Sequence, residues 1–153
     1  MKGYYELMDK LRGMALTNPL INTVTKGAID KIANAKVDMY PICHIQLNSQ
    51  QVQGNISIYN LSFILMDIVE TNKNLNTDIF YGNDNEDDVL HQMNEVALFF
   101  YEHFRRGGMH DTYLMQLVSD VANVEYFVDR FVDRVAGCTL TLDIALHHQA
   151  TIC

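Results

Sequence analysis

Three side chains at helical spacing raise the question of chemistry first. Asp88, His91 and Glu95 stand at i, i+3 and i+7, so a helix through them carries all three on one face. Carboxylate and imidazole together suit a divalent first-row metal, and a small metal-dependent hydrolase would use them so. A helical carboxylate-histidine centre, however, takes its remaining ligands from a second helix, and no matching ligand segment is present. A solvated acidic face, with Asp88 also favouring the positive start of the helix, is the preferred reading.

Cys43-His44 and His147-His148 are neighbouring pairs. On a strand, adjacent side chains point to opposite faces, so neither pair can converge on one metal. Cys43 reads as a small core residue. Cys43, Cys138 and Cys153 are odd in number and widely spaced, which signals neither a disulfide framework nor a zinc knuckle and fits a reducing compartment. A nucleophile elbow, a Walker loop, a dinucleotide fingerprint and a His-Glu-x-x-His motif are all absent from the sequence. No pair of carboxylates is marked for acid-base work. We therefore nominate no catalytic, cofactor-binding or metal-binding residue, expect no cofactor, and read the chain as not an enzyme. Asp129-Arg130 and Asp133-Arg134 repeat an acid-base pair at four-residue spacing. They suit either inter-subunit ion pairs or ordinary charge alternation around a strand turn, the second being favoured. The methionines scatter along the chain and read as packing residues.

The elements that would position these residues follow from periodicity. Tyr4, Leu7, Met8, Leu11 and Ala15 form the stripe of a short amphipathic helix, ended by Asn18-Pro19. Over 22–35, Val24 and Thr25 favour a strand while Ala28, Ile29, Ile32 and Ala33 also fit a helical turn; an extended arm is expected. Ile42 to Asn48 alternates as a strand, and 49–54 reads as a polar loop. From Ile56 to Val69 both parities are apolar in the middle. Fourteen residues would reach about 46 Å, longer than the diameter of about 40 Å expected from the radius of gyration of such a domain. Either a bulge at Asn60 or Ser62 bends this strand, or one end reaches a neighbouring subunit.

Asp84 or Asn85 is placed to cap the next helix, with Glu86, Asp87 and Asp88 in its first turn. Val89, Leu90, Met93, Val96, Ala97, Phe100, Tyr101 and Phe104 continue it to Arg105-Arg106, and Gly107-Gly108 stops it. A short helix over 111–118, a strand over 121–135 with a turn or bulge at Asp129-Arg130, and an alternating strand from Thr139 to Leu146 complete the order. The expected fold class is α+β: an N-terminal helix, then ββαββ, with one long helix packed on a mainly antiparallel sheet. One domain spans 1–153, with the helix and arm in 1–36 and the ββαββ core in 37–153.

Composition agrees with a globular unit: 153 residues, 48% hydrophobic and 20% charged. A net charge of −8 excludes a broad basic nucleic-acid footprint. The charge is uneven, because 1–36 hold six basic and three acidic residues while the rest holds five basic and sixteen acidic. That asymmetry favours one copy docking on another, or reflects two independent solvated surfaces. No secretory leader and no stretch of about 20 apolar residues is seen, so a soluble, unprocessed protein without membrane contact is expected.

Asn22-Thr-Val-Thr-Lys-Gly27, Tyr40-Pro41-Ile42-Cys43-His44-Ile45, Ile64-Leu65-Met66-Asp67-Ile68-Val69 and Phe131-Val132-Asp133-Arg134-Val135-Ala136-Gly137-Cys138, in this order of elements, resemble small neck or ring proteins of crAss-like and related tailed bacteriophages. The likeness covers most of the chain and includes no chemical motif. It implies a tail-terminator-like fold and a structural virion protein, a head-tail connector or tail terminator that forms a homo-oligomeric ring in the neck or tail. Implied partners are copies of itself, the portal and other neck or tail-tube proteins, with assembly in the host cytoplasm and DNA passing through without specific binding. An acidic inner wall would repel phosphates, and Asp84 to Asp88 are the candidates for it. A non-enzymatic adaptor module in an unrelated assembly is the alternative.

Overall fold

The structure is a computed structural model and describes residues 3–29, 37–70, 77–82, 84–111, 115–130 and 134–148. In chain order the elements are α1 (Tyr4–Leu16), β1 (Thr23–Lys26), a 3-10 turn (Val37–Met39), β2 (Ile42–Gln53), β3 (Ile56–Ile68), α2 (Glu86–Arg106), α3 (Gly108–Asp111), β4 (Gln116–Leu117), β5 (Asn123–Arg130) and β6 (Val135–His147). The fold is α+β, with an N-terminal helix, one long helix and a mixed six-stranded sheet. The sheet runs β1-β2-β3-β6, and β4 and β5 lie one after the other along the far edge of β6. Among the described strands only β1 against β2 is parallel.

Strand alternation sorts the two faces. Leu61, Phe63 and Leu65 of β3 stand beside Leu142, Leu140 and Cys138 of β6 and form the inner face. Both helices press on it: α1 through Leu7, Leu11, Met14 and Ala15, and α2 through Val89, Met93, Val96, Ala97, Phe100 and Phe104. Phe63 sits between the α2 rings, with centroids 5.4 Å from Phe100 and 6.0 Å from Phe104. On the outer face a second, smaller cluster joins Ile42, Ile64, Met66 and Val135 under Tyr40.

The two helices expected from periodicity are present at the expected places, α2 running from Glu86 to a C-terminal cap at Gly107. Several local expectations need correction. Asn85 occupies the N-cap position of α2 but its side chain makes no cap bond; it accepts the Glu70 N–H at 2.6 Å instead. Thr23–Lys26, expected within an arm, is a sheet strand pairing with Ile42–Ile45, while 30–36 lie outside the described residues. The polar segment 49–53 is the second half of β2, because its backbone pairs with Ile56–Asn60 and Gly54, at φ 60, permits a two-residue turn. Residues 116–117 are strand where a helix was expected, the short helix having formed earlier at Gly108–Asp111. The span 121–135 is two strands: β5 ends at Arg130, with a register shift after Phe127, and Val135 already belongs to β6.

The bulge lies on the opposite strand from the one anticipated. β3 pairs with β6 without a break from Ile56 to Ile68, so Asn60 and Ser62 are regular. Asn48 of β2 is the extra residue, between the pairs Leu47↔Leu61 and Ser49↔Asn60.

Gly137 marks where the sheet is tightest. A Cβ there would fall 1.8 Å from the Leu65 carbonyl oxygen and 2.9 Å from its carbon, which are backbone atoms of a central strand. Gly137→Ala is expected to lower unfolding free energy by about 3 kcal/mol or more, since the strands must separate to admit the methyl. Gly13→Ala, on an exposed position of α1 with open space around it, is expected to raise it by roughly 0.5–1 kcal/mol through helix propensity. Urea unfolding of both variants against the parent protein checks the pair.

Candidate self-association surface

The layer of helices does not reach the end of the sheet. On β2, residues 42–45 are buried, whereas 48–53 are exposed, inner-face Gln50 and Val52 among them; Val52 is 62% accessible. Beyond Ile45 the outer edge of β2 has no paired strand among the described residues, because β1 covers only Ile42–Ile45. Natural edges are normally blunted by charge, proline or brevity. Here the sequence carries no Asp, Glu, Lys or Arg between Asp38 and Asp67, so this edge is long and uncharged. The other two edges are protected: β1 is short and ends in Lys26, and β5 carries exposed Glu125.

Polar side chains stiffen this overhang on the outer face. Asp143 can only accept, so Asn60 must present its amide nitrogen to it, at 2.8 Å, and its oxygen to the other side. There Asn48 Nδ2 donates to Asn60 Oδ1 at 2.8 Å and to Ser62 Oγ at 2.7 Å. Ser62 in turn shares a bond of 3.1 Å with Thr141. The bulged Asn48 thus ties β2 across β3 to β6. At the tip, His148 donates its backbone N–H to the Asn55 carbonyl at 2.9 Å, and its Nε2 donates to the Gly54 carbonyl at 2.8 Å. Both are acceptors only, which assigns the proton to Nε2.

The side chains whose spacing raised the question of chemistry fall elsewhere. Asp88, His91 and Glu95 are exposed on the solvent side of α2, and among the described residues no group of three or more His, Cys, Asp or Glu is placed to hold a metal. Cys43 and His44 point to opposite faces as expected: Cys43 enters the main core, while fully buried His44 lies outward. His44 Nε2 donates to the Gly27 carbonyl at 2.8 Å, and its Nδ1 lies 2.7 Å from Thr25 Oγ1, which ties β1 to β2. Cys43 and Cys138 flank Leu65 on successive strands, about 9.6 Å apart at two strand spacings. That exceeds the reach of a disulfide.

Arg134 makes an ion pair that its neighbours in sequence do not suggest. Its guanidinium bridges Asp84 at 2.6 Å and Glu86 at 2.8 Å, pinning the β5–β6 connection to the start of α2. The side chains of Asp129, Arg130 and Asp133 lie outside the described residues. Of the acidic run Asp84 to Asp88, Asp84 and Glu86 therefore share one guanidinium charge, and Asp87 and Asp88 remain exposed.

No protein-family model matches the chain, and no curated protein is significantly similar to it. Among the described residues no helix is long and apolar enough to cross a membrane.

Burial drives the Cys43 thiol far above its ordinary range and pushes Cys138 up to about 12. Neither is expected to react with iodoacetamide at pH 8 in the folded protein, and both are expected to react in denaturant; peptide mass spectrometry reads the difference. Burial also raises the Asp67 carboxyl, against the lowering effect of the Ile68 N–H bond and with help from the charge of Glu70. A raised folded pKa means stability that is complete below the unfolded value, near 3.9, and lost as pH climbs through the folded value. Asp67→Asn is thus expected to melt higher than the parent at pH 7 and equally at pH 3, by calorimetry at the two pH values.

Proposed function

We propose that this chain is a structural virion protein that forms an oligomeric ring in the neck of a tailed bacteriophage, a head-tail connector or tail terminator with a tail-terminator-like arrangement of its core. The observation that carries this reading is the uncharged, helix-free outer half of β2, whose open edge offers backbone hydrogen bonds to an extended segment of a neighbouring copy. A monomeric protein would leave such an edge exposed to indiscriminate pairing. An assembly that buries it removes that liability. The α+β core, with both helices on one face of the sheet, supports the same reading by giving the overhang a rigid base. Portal and other neck or tail-tube proteins are the further partners. The net charge of −8 suits a wall past which DNA slides without being held, and exposed Asp87 and Asp88 are the members of the acidic run available to face it.

Placing charge on the edge tests the reading. Gln51→Lys with Val52→Lys is expected to weaken self-association about tenfold or more, seen as a fall in mass by light scattering. Because both side chains are exposed, the melting temperature should stay within the small range of surface substitutions. A parent protein that stays monomeric, alone and with portal present, would overturn the proposal.

A further inference from the structure

Three large apolar side chains stand in water on a turn that holds them there. Ile79, Phe80 and Tyr81 are 94%, 86% and 65% accessible. Asp78 Oδ1 accepts the N–H groups of Phe80 at 3.0 Å and Tyr81 at 3.3 Å, and the Gly82 N–H closes the turn on the Asp78 carbonyl at 2.8 Å. The rings of Phe80 and Tyr81 pack edge to face, 4.9 Å apart. None of the three belongs to either apolar cluster of the fold. A locally bonded turn that exposes adjacent aromatics has the character of an interface anchor, because ordering it again on binding costs little.

A receiving site of matching character lies on the same chain. Between α2 and the segment leading into β5, Ala97, Leu98, Val121, Ala122, Val124 and Leu140 line an apolar cleft of about 210 Å3. An apolar cavity of about 150 Å3 takes a benzene ring, so one aromatic side chain fits here. The walls are braced before anything binds. The Tyr101 hydroxyl donates to the Asp120 carbonyl at one end, and the Tyr126 hydroxyl donates to Asn94 Oδ1 at 3.0 Å at the other. Leu98 and Val121 are large apolar residues exposed at its rim.

The turn cannot fill its own cleft. It precedes Glu86 at the start of α2, and Ala97 lies eleven residues on, about 17 Å along the helix axis. Asp84, two residues after Gly82, is held at that same end by Arg134. We infer that the Ile79-Phe80-Tyr81 turn of one copy inserts into the cleft beside Leu98 and Val121 of the next. Such a contact joins two different patches, so it is head-to-tail and propagates around a ring when the rotation closes. This inference rests on the ring reading above and names a second contact in it, separate from the β2 edge.

Phe80→Asp and Leu98→Asp test it by light scattering beside the Gln51→Lys, Val52→Lys protein. Each aspartate is expected to reduce self-association at least tenfold while leaving the melting temperature unchanged, since both side chains are exposed. In a Cys153→Ser background, Ile79→Cys and Val121→Cys proteins are expected to form a mixed disulfide dimer when combined and oxidised, and neither should cross-link alone. If Phe80→Asp and Leu98→Asp proteins assemble like the parent while the lysine variant does not, the ring reading survives and this contact is wrong. Cross-linking of the Ile79→Cys protein to itself would also overturn it, by showing a symmetric contact. A parent protein that never assembles overturns both.

Discussion

Strand β3 is paired with β2 on one side from Ile56 to Met66 and with β6 on the other along its whole length, so its side chains have no freedom to choose a face. A slip of one residue would turn Leu61, Phe63 and Leu65 to the outer face and bring Asn60 and Ser62 under the helices. That single register places the Phe63 ring between Phe100 and Phe104, and the Asn48-Asn60-Asp143 chain on the opposite side. Gly137 enforces it from β6, because no residue with a side chain can approach the Leu65 backbone so closely.

The parts legible in the sequence were those with strong periodicity. The stripe from Val89 to Phe104 located α2, and the alternation from Thr139 to Leu146 located the second half of β6. What could not be read was set by pairing across the sheet. Ser49-Gln-Gln-Val-Gln53 has the composition of a loop, and becomes strand because β3 supplies its partners and Gly54 lets the chain turn back. Thr23–Lys26 is strand because β2 lies beside it and His44 bonds to Thr25 and Gly27. Arg134 shows the same limit for charge. Its partners Asp84 and Glu86 are far away in sequence, so spacing along the chain pointed only to its immediate neighbours.

The surface singled out by the structure has a signal in the sequence, although a chemical-motif search passes over it. An uncharged run from Met39 to Met66 in a chain of net charge −8 is visible without coordinates. Its meaning depends on knowing that residues 46–53 within it are an edge with no helix over it, which only the fold supplies. The Asp88, His91 and Glu95 spacing was the reverse case: conspicuous along the chain, yet placed on the open side of α2.

The clasp of His148 on Gly54 and Asn55 gives the hairpin tip a mechanical role. β2, β3 and β6 lie side by side with their long axes aligned, and the turn at one end is stapled to the strand farthest from the free edge. Tension applied along the hairpin is then spread over many rungs loaded sideways at once, where a bare hairpin would peel open one rung at a time. An element of this build can bear a pull along its length without unravelling.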